Sequence, residues 1–230
     1  MDLPYSLALF APLDFAALGV LFGSWVLIGW RIEYAGAKHP SVSRLMADFR
    51  RQWMMQMLTR VPRIFDAQII ATLRQGTSFF ASTTIIAIGA TLTLLGNTDG
   101  LMNVAEDITL QSQPRLVFEV KLLTVVFFLT NAFLKFVWSN RLFGYCSVLM
   151  AAVPNDPEDP TAEGLARKAS EINVTAARSF NRGLRSVYFA LASLAWLGGP
   201  LLLLAAAVST LIVIWRREFA SQSRRILLEK

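Results

Sequence analysis

Residues 187–215 run for 29 positions without one charged side chain, and residues 79–96 contain none either. Stretches of this length and composition fold as helices that cross a bilayer, whose hydrocarbon core of about 30 Å takes roughly 20 helical residues. Residues 13–30 form a third such stretch, interrupted only by Asp14. A fourth has a clean core at residues 122–134 and must extend over 117–138 to span. Trp25, Trp30, Trp138 and Trp215 lie near segment ends, where an apolar ring with one polar atom suits the headgroup boundary. The expected fold is therefore all-α, a polytopic membrane helix bundle of four apolar segments: 13–30, 79–96, 117–138 and 187–215. Residues 1–230 are read as a single integral-membrane domain.

Composition narrows the function. Only 17% of residues are charged against 54% hydrophobic, where a soluble domain carries about a quarter charged. That excludes disorder and argues against a soluble enzyme. One cysteine and one histidine cannot build a disulfide framework, a zinc ribbon or an Fe–S cluster. No P-loop, dinucleotide fingerprint, nucleophile elbow or metalloprotease helix occurs. His39 lies in a polar loop with no second histidine, and Cys146 reads as a buried inert thiol. No cofactor, metal or catalytic residue is expected. The formal charge of +6 reads as loop charge facing the cytoplasm, so no nucleic-acid partner is expected.

Orientation follows from Lys and Arg counted loop by loop. Residues 1–12 hold none and 97–121 hold two, whereas 31–78 hold eight and 135–186 hold seven. The two basic loops belong inside and the N-terminus outside. Without a basic n-region, the first segment reads as an uncleaved span and not as a signal peptide. The five basic residues from Arg216 onward break this pattern if residues 187–215 cross once. Gly198-Gly199-Pro200 interrupts that stretch and can end one helix and begin another. A hairpin there returns the tail to the cytoplasm; the alternative is one kinked, tilted span.

The first basic loop carries its own pattern. Val42, Leu45, Met46, Phe49, Trp53, Met54 and Met57 recur at helical intervals, with Arg44, Asp48, Arg51 and Gln52 on the polar side. This predicts an amphipathic helix over 42–57, either lying in the headgroup plane or packed on the bundle. Val61-Pro62 ends it, and a second helix is expected from Pro62 through Leu73. Pro154, Pro157 and Pro160 mark an exposed acidic turn, after which Thr161 should cap a further helix supported by Glu163 and Arg167.

Two residue sets could carry function. Ser78, Ser82, Gly89, Thr93 and Gly96 fall near one face of the second span, where small side chains let another helix approach closely. They suit internal packing, a homodimer seam or a ligand path. Asp66, Arg74, Lys135, Arg141, Arg182 and Arg185 group near the cytoplasmic boundary as a candidate buried polar network. Charge at membrane depth is costly, so such residues anchor at headgroups, pair with one another or line a path. Asp14 and Lys121 form a candidate pair near the outer boundary.

Several strings together carry a resemblance: Asp66-Ala67-Gln68-Ile69, Leu73-Arg74-Gln75-Gly76-Thr77-Ser78-Phe79-Phe80-Ala81-Ser82-Thr83-Thr84, Lys135-Phe136-Val137-Trp138-Ser139-Asn140-Arg141, Phe180-Asn181-Arg182-Gly183-Leu184-Arg185 and Arg216-Arg217-Glu218-Phe219. Over nearly its whole length the chain resembles a bacterial multi-span membrane family catalogued as a domain of unknown function, number five hundred and ninety-nine. The resemblance implies a multi-span inner (cytoplasmic) membrane protein of this size, and no reaction or substrate; the Lys and Arg counts make its N-terminus periplasmic. The expected partners are membrane lipids and either other membrane subunits or a second copy. The functional expectation is a non-catalytic accessory or organising subunit, with a small homodimeric transporter or channel as the alternative. If residues 187–215 form a hairpin, Arg182 and Arg185 need partners at the boundary. Asp66 is then preferred over Glu33, because it opens the string that runs into the second span.

Overall fold

A computed structural model of the protein describes residues 9–34, 36, 38–97 and 114–229. Among these residues the secondary structure is helical, without strands. The helices are α1 (Pro12–Glu33), α2 (Val42–Gln56), α3 (Ile64–Gly96), α4 (Arg115–Ala152), α5 (Ala162–Leu194), α6 (Pro200–Phe219) and α7 (Gln222–Leu228). Four helical stretches, Pro12–Glu33, Ile64–Gly96, Arg115–Ala152 and Pro200–Leu228, are long and apolar enough to cross a membrane. The chain is a multi-pass membrane protein with an all-α fold. Most of the connection expected outside, residues 98–113, lies outside the described residues.

The helices are longer than the apolar segments that announce them. Residues 79–96 are the second half of α3, whose 33 residues cover about 50 Å at 1.5 Å per residue. The separate helix expected after Pro62 is simply the first half of α3. A single Gly76 does not break it, and Thr77 turns its hydroxyl onto Arg74 O at 2.7 Å. Likewise 117–138 sits inside the 38 residues of α4.

Residues 187–215 are divided between two helices. α5 ends at Leu194, a 3-10 turn spans Ala195–Gly198, and Gly199 adopts a φ of 117° before Pro200 opens α6. That φ lies in the left-handed region, which glycine enters without a Cβ penalty, and proline suits a first helical position. The chain then doubles back: Arg217 Nη1 donates to Tyr188 Oη at 3.0 Å, across 29 residues of sequence. A single kinked span would hold those groups far apart, so the stretch is a hairpin.

The fold separates into two compact units, each assembled from parts of several helices. The first takes the described residues of Met1–Arg31, Thr84–Ala132 and Leu184–Arg217. Its core stacks Phe22 and Phe189 on Phe128, with the Trp25 ring edge-on. Asp14, the single charge of the first apolar segment, serves α1's first turn by accepting from Ala11 N at 3.0 Å. Its other oxygen accepts from Trp196 Nε1 at 2.7 Å. Lys121 is buried with its ammonium over the Phe118 and Trp196 rings. Asp14 and Lys121, expected as a pair, thus both meet the Trp196 side chain.

The second unit comprises Ile32–Thr83, Phe133–Gly183 and the described part of Glu218–Lys230. Its centre is the antiparallel contact of α4 and α5. α4 presents Phe136, Ser139, Phe143, Cys146 and Met150, and Val153 follows just past its end, all buried at alternating three- and four-residue intervals. α5 answers with Ala162, Ala166, Ala169, Asn173 and Ala176, also buried and at the same intervals. Large side chains on one helix face small ones on the other, so the backbones approach closely. Hydrogen bonds lock them together. Ser139 Oγ donates to Ala176 O at 2.7 Å, Ser179 Oγ to Lys135 O at 2.9 Å and Cys146 Sγ to Ala169 O at 3.5 Å.

α2 packs on this pair. Ser41 caps it by accepting from Arg44 N at 3.2 Å and donates its hydroxyl to Ile32 O at 2.8 Å, pinning the end of α1 to the start of α2. The packed face differs from the apolar stripe read from sequence. Met54 and Met57 enter the core, but Arg50 and Arg51 reach α5, at Asn173 Oδ1 and Glu171 Oε1, each at 2.6 Å. Met46 and Phe49 remain exposed. One edge of the stripe is buried and the other is free. At the head of α5, Thr161 donates its hydroxyl to Asp159 at 2.6 Å, while its carbonyl starts the helical ladder at Leu165 N. Its side chain does not supply the expected cap.

Gly183 tests the α4–α5 contact. A Cβ there would stand 2.6 Å from the Phe136 ring, which is fully buried between Phe80 and Phe180. Gly183→Ala is expected to cost about 1–3 kcal/mol through overpacking, read by thermal unfolding in detergent. Gly89→Ala, where a Cβ meets nothing within 4 Å, should leave the midpoint unchanged.

Candidate functional site

The second unit holds a cavity of about 320 Å³ between the first half of α3 and the last turns of α4. Ala67, Ile70 and Ala71 form one wall; Ser147, Met150 and Ala151 form the other. Small residues on both helices hollow the surface, since alanines at these positions leave the space that longer side chains would fill. Met57, Val153 and Asn155 close one end, and Arg63 and Arg74 bring two guanidinium groups to the lining.

Arg63 is immobilised at the C-terminal end of α4. Its Nη1 donates to Val153 O at 2.7 Å and its Nη2 to Pro154 O at 2.6 Å, a favourable place for a cation because carbonyls there lack helical donors. Its Nε is buried with no hydrogen-bond partner among the described residues. Arg74 is exposed, and its Nε makes a long 3.5 Å contact to Asn140 Oδ1. Asn140 in turn donates to Ser78 Oγ at 2.7 Å.

The six candidate polar residues take separate partners. Asp66 is fully buried, and its Oδ1 accepts from Trp53 Nε1 at 2.7 Å and from Arg60 Nη1. Its Oδ2 is buried without a partner among the described residues. Arg182 pairs through both nitrogens with Glu33, Nε to Oε1 at 2.8 Å. The preference for Asp66 as Arg182's partner is therefore overturned: Arg60, six residues before Asp66, takes that carboxylate locally. Arg141 meets the Tyr145 hydroxyl and lies over its ring. Lys135 contributes its carbonyl to Ser179. Arg185 is buried in the first unit, its guanidinium 3.7 Å from where a Cβ on Gly29 would sit. Ser78, Ser82, Gly89, Thr93 and Gly96 are all exposed, on the side of α3 opposite its buried Thr77, Thr84, Ile88 and Thr91.

Sequence reading missed Glu218. It is buried, and its carboxylate accepts from Ser43 N at 3.0 Å and Ser43 Oγ at 3.1 Å, in the first turn of α2. A carboxylate suits the unsatisfied donors of a helix N-terminus. Arg224 adds a second tie to the same region, donating to Pro40 O at 2.9 Å. The signal for it was an acid set directly after Arg216-Arg217, within a string that already carried the family resemblance.

Electrostatics outside the spans follows from these pairings. The Arg51 guanidinium holds the Glu171 carboxyl below the usual glutamate value, and hydrogen bonds from Thr161 do the same for Asp159. Burial pulls the Arg50 guanidinium below its ordinary value. Among the described residues no group of three or more His, Cys, Asp and Glu could hold a metal ion.

Two expectations follow. Asp66→Ala should cost about 1.5–3 kcal/mol, the range for a hydrogen bond to a charged group. In double-mutant cycles Asp66 should couple to Arg60 and add independently with Arg182. The second concerns pH. Because Glu171's folded value is depressed, the Arg51 bridge stabilises fully at neutral pH and is lost as pH falls through that value, below 4.5. Glu171→Gln should flatten this acid limb in unfolding midpoints measured from pH 7 downward.

The comparisons add one finding. A family model described as "Protein of unknown function, DUF599" matches residues 16–223, from the second turn of α1 to the start of α7. No curated protein and no solved structure matches the chain. The match takes in all four apolar helical stretches almost entirely, together with the α2 and α5 contacts described above. On that extent the chain belongs to the DUF599 family of proteins of unknown function.

Proposed function

We propose that this protein is a non-catalytic accessory or organising subunit of a complex in an inner membrane, with its N-terminus periplasmic. The observation that carries this reading is how the charged side chains of the second unit are used. Arg60 and Trp53 close on Asp66, Arg182 on Glu33, Arg51 on Glu171 and Arg63 on the α4 carbonyls. Each is a tie between segments, and none poises a nucleophile against a base. Groups fixed in this way suit a rigid scaffold better than a turnover site.

The exposed face of α3 supports contacts with neighbours. Thr93 directs its hydroxyl to its own helix, at Gly89 O, and Thr83 does so at Phe79 O. Such back-bonding leaves a smooth surface of small residues, which favours close helix–helix approach within a bilayer. The exposed Met46 and Phe49 edge of α2 adds apolar surface suited to the headgroup boundary. Orientation rests on the Lys and Arg counts, and the hairpin with the Arg224–Pro40 tie supports a basic tail on the same side as the first basic loop.

Tagged protein in mild detergent should bring down foreign membrane subunits in stoichiometric amount. The pair Gly89→Leu and Thr93→Leu should lose them while remaining folded. A clean homodimer that exchanges solute in liposomes would overturn this reading in favour of a small transporter or channel. A tag after Lys230 should stay inaccessible from the periplasm in intact cells, and external labelling of that tag would reverse the proposed orientation.

A further inference from the structure

We propose that the cavity between α3 and α4 binds an anionic phospholipid, with its phosphate on Arg74 and its apolar part lying along the alanine-lined wall. The argument starts from charge. The lining contains two guanidinium groups and no carboxylate. Arg63 has its two Nη groups on backbone carbonyls, which carry no net charge. Arg74 has its Nε on a neutral amide at 3.5 Å, which leaves its Nη donors for a ligand. Two positive charges lining one cleft with no carboxylate beside them call for an anion, because like charges brought together without a counter-ion repel. Basic pockets between membrane helices on the cytoplasmic side are recurrent binding places for anionic headgroups.

The walls decide what kind of anion. Ala67, Ile70, Ala71, Met150 and Ala151 offer nothing to a hydrated ion and much to an acyl chain. The surface beside the cleft is apolar as well: Ile64 and Phe65 at the head of α3 are 68% and 62% exposed, and Val148 on α4 is 69% exposed. Apolar surface beside a basic cleft suits an amphiphile. Its volume of about 320 Å³ is at the small end of ligand clefts, roughly 300–1,000 Å³. It has room for a headgroup and the upper part of one chain, the rest remaining in the bilayer. Asn140 and Ser78 stand next to Arg74 and can add neutral donors to a phosphate. The guanidinium itself can take two phosphate oxygens in parallel, a fork that an ammonium lacks. This site meets the exposed face of α3 only at Ser78 and does not depend on the subunit reading.

The test uses the full-length protein in neutral detergent, titrated with phosphatidylglycerol or phosphatidylcholine and read by native mass spectrometry and thermal shift. Phosphatidylglycerol should be retained at about one per chain and should raise the unfolding midpoint; phosphatidylcholine should do neither. Arg74→Ala should weaken phosphatidylglycerol binding about tenfold or more, with Arg74→Lys intermediate. Ala71→Leu keeps both charges but fills the cleft, and should abolish phospholipid retention while the exposed position leaves the fold intact. Equal retention of the two lipids would overturn the proposal, as would unaltered binding in Arg74→Ala. If inorganic phosphate competes at the site and Ala71→Leu changes neither ligand, the site takes a free anion and the lipid assignment is wrong.

Discussion

Close approach of α4 and α5 is the constraint on which the second unit depends. Two helices can come this near only if one of them lacks bulk along the contact line, and α5 supplies alanines where α4 supplies Phe143 and Met150. Packing of large side chains against small ones and interhelical hydrogen bonds then hold the pair together. The hydroxyls of Ser139 and Ser179 reach carbonyls on the opposite helix in both directions. Each bond would be impossible at a larger separation. Gly183 marks the tightest point, beneath the Phe136 ring.

Once that pair is set, the remaining polar residues have defined places. α2 can lay Met54 and Met57 against it because Arg50 and Arg51 find Asn173 and Glu171 on α5. Asp66 can be fully buried because Arg60 and Trp53 reach it from the preceding segment. Glu218 can be buried because the first turn of α2 offers donors that no helical carbonyl accepts. The buried carboxylates of Asp66 and Glu218 are thus each answered at short range, which is the condition for burying them. The same rule gives the α3–α4 cleft its interest, since its two arginines are met there by neutral groups.

The two outward-facing features of α3 have different chemistry and meet only at Ser78. Ser78, Ser82, Gly89, Thr93 and Gly96 make a shallow, nearly neutral surface suited to another helix. The Arg63–Arg74 cleft is concave, basic and lined with apolar groups, and suits an anionic amphiphile.

Much of the architecture was determined by the sequence alone. Charge-free runs must be satisfied by their own backbone hydrogen bonds, so residues 79–96 had to be helical and long enough to span. Gly198-Gly199-Pro200 specified a break, because glycine can take the positive φ and proline can start the next helix. The small-residue spacing of α5 was equally present in the sequence. What the sequence left open was partner choice. Asp66 had several arginines within reach on any helical map, and only the folded turn before α3 brings Arg60 to it. Direction of the hairpin also needed tertiary contact, since the same break permits a kink or a reversal and Arg217 on Tyr188 selects the reversal. Periodicity specifies a face, but which edge of that face is buried depends on the neighbour. For α2 that neighbour is α5, so Met54 is inside and Phe49 is not.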